Sequence, residues 1–139
     1  MRFGDVFRRK EDANKLVDRI DKMIAELSKQ SQLLKEHHRV CYEQAKRLAK
    51  EGISEAAKKW LAIALVCKKM RGQIESHIAD LYASRIQVLA TQPSEMPTLF
   101  ETVNQRLERA ERDRERAQAA MRQFGQLVGM RLEAAGGAE

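Results

Sequence analysis

Residues 60–67 read Trp-Leu-Ala-Ile-Ala-Leu-Val-Cys, eight apolar residues in a row bracketed by Lys58-Lys59 and Lys68-Lys69. At 3.6 residues per turn such a run covers about two helical turns, so apolar groups point in every direction around the axis. It is far too short to span a bilayer, which takes about 20 residues. One antiparallel neighbour hides only one face of a helix of this kind. The run therefore predicts at least two neighbours, from its own chain or from other copies.

The flanking sequence supplies the first of them. From residue 11 to 50 an apolar seam runs through Leu16, Ile20, Met23, Leu27, Leu34, Cys41 and Leu48 in steps of four and three, with Gln30, His37 and Gln44 at the intervening seam positions. That rhythm predicts a long helix packed on another helix, its polar seam residues fixing register at some cost in stability. At 1.5 Å per residue it is roughly 60 Å long. Glu51-Gly52-Ile53-Ser54 reads as a turn, with Gly52 in a left-handed C-terminal cap and Ser54 as the next N-cap. So short a connection makes residues 11–91 an antiparallel hairpin. The second seam is Trp60, Ala64, Cys67, Arg71, Ile74, Ile78, Leu81, Arg85 and Val88. Arg71 and Arg85 either send their heads to water over packed stems or meet acids on another helix or subunit.

Pro93 and Pro97 break the pattern, making residues 92–98 an elbow. A third seam follows, Phe100, Val103, Leu107, Ala110, Arg114, Ala117, Met121, Phe124 and Val128, giving a helix over 99–135 and a flexible tail at 136–139. Within it, the mixed-sign run ERAERDRERAQ reads as a solvated face with neighbouring ion pairs. The fold class expected is all-α. Charged residues make up 33% of the chain and aromatics 5%, which suits long helices with thin seams better than a thick core. The regular apolar spacing argues against disorder.

Charge is uneven. Residues 1–50 carry thirteen Lys/Arg against eight Asp/Glu, whereas residues 92–139 carry seven against eight, so an anionic surface meets the N-terminal half first. Phe3, Val6 and Phe7 share one side of a short helix, and Arg2, Arg8, Arg9 and Lys10 surround them. Residues 1–10 thus read as an amphipathic basic segment suited to a membrane surface; the competing reading is a frayed end, with Gly4 weakening the helix by about 1 kcal/mol. Four bases less Asp5 give roughly 3 kcal/mol at an anionic membrane, so one copy binds weakly and many copies are needed for a firm grip.

Chemistry has little to work with. Folding about Gly52 brings His37, Cys41 and Cys67 toward one another, but the two-helix spacing holds no Cys-x-x-Cys pair, so no metal site is expected and the cysteines read as small seam residues. His38 and His77 read as surface or seam positions. No phosphate-cradling loop, nucleophile arrangement or metalloprotease motif is present, so neither an enzyme nor a cofactor is expected. The basic excess is diffuse and lacks interleaved aromatics, so no nucleic-acid partner is expected. Without an apolar leader or membrane span, a cytoplasmic location is expected.

Taken together, several stretches resemble the ESCRT-III superfamily, whose members polymerise on membranes and remodel them. MRFGDVFRRKEDANKL resembles its N-terminus and the opening of its first helix, and AKRLAKEGISEAAKKWLAIALVCKKM resembles its hairpin tip. GQIESHIADLYASRIQVLA resembles its later second helix, and a broken linker leads on to a third. The resemblance implies a membrane-remodelling subunit for vesicle-mediated or division-site processes. Its membrane-binding residues would be Phe3, Val6, Phe7, Arg8, Arg9 and Lys10, continued by Lys15, Arg19 and Lys22. Trp60, Leu61, Ile63, Leu65, Val66 and Met70 would meet neighbouring subunits, and Gly52, Pro93 and Pro97 would act as hinges. The partners implied are an anionic (endosomal or division-site) membrane, like or related hairpin subunits, and an ATPase with a MIT domain. For that ATPase, Val128, Arg131 and Leu132 echo the family's binding motif, but its flanking acidic and leucine positions are missing. A coiled-coil scaffold or adaptor without lipid binding is the alternative, since it needs the same seams and no Phe3/Phe7 wedge.

Overall fold

The computed structural model describes the backbone of residues 3–137 and the side chains of residues 10–92 and 94–127. It is all-helical: α1 (Phe3–Lys50), α2 (Ser54–Ala90), a 3-10 turn (Pro93–Glu95) and α3 (Met96–Gly137). No strand occurs among the described residues. The α1 backbone runs unbroken through residue 10, where the sequence suggests a separate segment. Once a helix is nucleated each further residue adds a hydrogen bond, and no proline stands there to stop it. At 1.5 Å per residue α1 is about 70 Å long.

The hairpin turns on three residues. Gly52 has φ +80°, the left-handed conformation that costs an L side chain about 1–2 kcal/mol. Its N–H donates to the Ala49 carbonyl at 3.1 Å, and the Ile53 N–H donates to that of Leu48 at 2.9 Å. This pair of bonds is the Schellman closure of a helix. The Ile53 carbonyl then accepts from the Ala57 N–H at 3.0 Å, so Ile53 ends one helix and starts the next. That tightness leaves Ser54 no room to cap. It is the first helical residue, and α2 begins without a side-chain cap, contrary to the sequence expectation.

Along the hairpin, Leu16, Ile20, Leu27, Leu34, Cys41 and Leu48 of α1 are buried, as are Ala64, Cys67, Ile74, Leu81 and Val88 of α2. Each fully buried large aliphatic chain contributes about 1.5–3 kcal/mol. Polar pairs cross the seam in step with the turn: Arg85 Nε donates to Asp21 Oδ1 at 2.7 Å, and Ser31 Oγ donates to Glu75. Arg85 thus meets an acid on the facing helix, while Arg71 lies 4.0 Å from Glu75 of its own helix and donates to Ser31 Oγ of α1 at 3.5 Å.

The chain reverses after α2, where Thr91 is extended (φ −82°, ψ 141°). Pro97, expected in the elbow, lies in the first turn of α3, where its missing N–H has no intrahelical partner to lose. α3 then lies back along the hairpin. Val103, Leu107, Ala110 and Ala117 are buried in the core that α1 and α2 share, with Phe100, Met121 and Phe124 packed at its edge.

Two glycines should answer oppositely to the same substitution. Gly52→Ala is expected to lower stability by about 1 kcal/mol, because alanine must hold a left-handed conformation. Gly125→Ala, in a helical position with nothing near the added Cβ, is expected to raise it by about 0.5–1 kcal/mol. Urea denaturation followed by circular dichroism reads both.

Candidate functional site

The first half of α2 is the most unusual surface. Between Glu55 and Glu75 there is no acid, only Lys58, Lys59, Lys68, Lys69 and Arg71. All four lysines are exposed, and among them Leu61 is 39% exposed, Leu65 55% and Val66 45%. The six residues expected at a subunit interface therefore divide. Trp60, Ile63 and Met70 are half-buried, the latter two packed on the core, whereas Leu61, Leu65 and Val66 face out. The helix that is apolar all round is thus buried on the side of Ala64 and Cys67 and open on the side of Leu61, Leu65 and Val66. Next to Leu61, the hairpin tip forms a shallow groove lined by Tyr42, Ala45, Ala49 and Ala57, with Lys46 and Lys58 at its rim. Tyr42 stacks on His38 with ring centroids 5.9 Å apart, and the Lys46 ammonium stands 5.3 Å from the Tyr42 ring centroid.

The second candidate surface is the basic N-terminal end. The side chains of Phe3, Val6, Phe7, Arg8 and Arg9 lie outside the described residues. Lys10, Lys15, Arg19 and Lys22 are exposed. They do not form an undiluted basic face: Lys15 pairs with Glu11 at 3.5 Å, and Arg19 donates to Asn104 Oδ1 at 2.9 Å. Arg19 and Lys22 share a groove between α1 and α3 with Glu26, Glu108 and Glu111. While α3 lies there, acids stand beside the cations that an anionic surface would attract. Of the other proposed hinge positions, Gly52 is locked in the hairpin turn; the Pro93 side chain lies outside the described residues.

Holding α3 in place is a polar layer that the sequence pattern reveals only in part. His77 Nε2 and Asp113 Oδ2 are 2.7 Å apart, joining α2 to α3. Arg106 Nη1 donates to the buried Ser84 Oγ at 2.7 Å. Gln30 Nε2 donates to the Arg114 carbonyl at 2.8 Å, and the Arg114 guanidinium lies 3.7 Å from Glu26. Arg114 also hydrogen-bonds Glu111, which holds that carboxyl below the usual carboxylate range. The ERAERDRERAQ run is therefore not wholly a solvated face: Asp113 and Arg114 reach other helices. The seam positions of Gln30 and Arg114 are the sequence signal for this layer; nothing in the pattern singles out Asp113 or Arg106. Buried Gln30 Oε1, His37 Nδ1 and Gln44 Nε2 lack a hydrogen-bond partner among the described residues, so the polar seam positions of α1 are incompletely satisfied.

Cys41 and Cys67 are free thiols, both fully buried. Burial raises both, and the nearby Cys41 adds to the shift of Cys67, which is pushed up to about 11. Groups of three or more His, Cys, Asp or Glu side chains able to hold a metal are absent among the described residues, and no described helix is long and apolar enough to cross a membrane. No family model, curated protein or solved structure matches the chain.

The thiols give a test of the packing. A thiol raised in the folded state stabilises the fold below its unfolded value of 9.0, and that contribution is lost as pH rises toward 11. Stability measured by urea denaturation should accordingly fall between those pH values, less so for Cys67→Ala. Both cysteines should also react slowly with a thiol reagent at pH 8 in buffer and rapidly in urea. Equal rates in the two media would contradict the burial.

Proposed function

We propose that this chain is a membrane-surface assembly subunit of the ESCRT-III type, which binds anionic lipid and joins to like or related hairpins through α2. The observation that carries the reading is the exposure of Leu61, Leu65 and Val66 inside an acid-free, lysine-flanked stretch, after α1 and α3 have both packed on α2. Burying the exposed parts of three such side chains stabilises an assembly by roughly 3 kcal/mol per copy. A lysine beside an anionic membrane adds about 1 kcal/mol. Such increments are small for one copy and large for an array. The amphipathic segment at residues 1–10 serves as the lipid anchor, and release of α3 at the elbow takes Glu108 and Glu111 away from Arg19 and Lys22. The subunit carries out no catalysis and acts from the cytoplasmic side of its membrane.

Co-sedimentation with phosphatidylserine liposomes, compared with phosphatidylcholine alone, tests the reading. The chain should pellet with the anionic vesicles, less so at higher salt, and deleting residues 1–10 should reduce the pelleted fraction severalfold. Pelleting untouched by that deletion would remove the anchor. No pelleting under any condition would leave a hairpin scaffold without a lipid role.

A further inference from the structure

Beside its buried seam, α2 carries a second complete heptad row one residue out of step. Positions 61, 65, 68, 72, 75, 79, 82, 86 and 89 follow one another in steps of four and three, and all nine are exposed. They read Leu, Leu, Lys, Gly, Glu, Ala, Tyr, Ile, Leu. Leu61, Leu65, Tyr82, Ile86 and Leu89 are each between 39% and 66% exposed. The α2 residues that hydrogen-bond α3, namely His77, Ser84 and Gln87, are not on this row. The row spans about 42 Å and four heptads, long enough for a coiled-coil contact.

We infer that a second copy of this chain covers the row, α2 against α2 in antiparallel register about a two-fold axis near Gly72 and Glu75. This rests on the assembly part of the function proposed above and specifies its contact. The row is close to palindromic in chemistry: apolar at both ends, small and charged in the middle. Run antiparallel, it sets Leu61 opposite Ile86 of the second copy, and Leu65 opposite Tyr82. Lys68 then falls opposite Ala79, and Gly72 opposite Glu75. The two charged side chains of the row, Lys68 and Glu75, thus face small residues, which leaves them room to extend sideways, and Leu89 falls opposite the stem of Lys58 of the second copy. Charge selects the direction. Base-rich residues 56–74 hold no acid, while Glu75 and Asp80 follow in the second half. Antiparallel pairing brings Lys68 within one layer of Glu75 of the second copy, whereas parallel in-register pairing stacks lysine on lysine and glutamate on glutamate. A two-fold contact repeats each favourable pair. Arg71, 4.0 Å from Glu75 within each copy, tempers the approach of the two glutamates near the axis.

Sedimentation velocity of the full chain without lipid tests the contact. The wild type should form dimers. Leu65→Glu and Tyr82→Glu should each raise the dissociation constant by about tenfold or more at unchanged helix content. Direction is read separately by mixing Leu61→Cys chains with Ile86→Cys chains, which should crosslink to each other, while Leu61→Cys alone should not crosslink to itself. Lys68→Glu should weaken the dimer at unchanged helix content. A wild type that stays monomeric at every concentration, or self-crosslinking by Leu61→Cys, would overturn the inference. Those results would still leave liposome binding free to succeed, just as a dimer of the stated register that ignores liposomes would sink the membrane reading and keep this one.

Discussion

The antiparallel seam between α1 and α2 determines where everything else in this molecule can go. It begins at a glycine-favouring closure, since Gly52 alone of the described residues takes a positive φ, which other side chains adopt only at a cost. From there Leu48, Cys41, Leu34, Leu27 and Ile20 follow down α1 against Ala64, Cys67, Ile74 and Leu81 of α2. Because the turn is only three residues long, the register is set at the tip and propagates without slack, and the Asp21–Arg85 pair near the far end is in step with it.

On that rod α3 behaves as a strap. Its buried apolar residues are Met96, Val103, Leu107, Ala110 and Ala117, of which Val103 is the one large side chain buried completely; Leu99, Phe100, Met121 and Phe124 are only partly buried. The remaining attachment is polar: His77 to Asp113, Ser84 to Arg106, Gln30 to the Arg114 backbone. Partly exposed polar contacts are worth about 1 kcal/mol each, so the strap is held more weakly than the rod beneath it. A helix held this way is suited to detach as a unit, as the function proposed above requires.

Heptad spacing made the three helices, the hairpin and the α2 seam legible from residues alone, because periodic burial leaves a periodic pattern. Boundaries were less so. Ser54 has the right chemistry for a cap, yet the Schellman closure at Ile53 overrides it; Pro97 reads as a break, yet a first helical turn accepts proline. The apolar surplus around residue 65 was plain in the sequence, but which faces stay open depends on where α3 docks, and no local pattern encodes that. Likewise Asp113 sits in a charge run that spacing cannot sort into solvent-facing and helix-bridging members. The basic residues Arg19 and Lys22 showed the same limit: their charge is legible, their acidic neighbours on α3 are not.

Amide hydrogen exchange tests the rod-and-strap account most directly. Amides of α1 and α2 along the buried seam should form the slowest class, exchanging only through global unfolding, while those of α3 from about residue 100 onward exchange together through a separate, lower-energy opening. Exchange of α3 in the same slow class as Leu34 and Ile74 would contradict it, because the three helices would then open as one cooperative body with no strap to release.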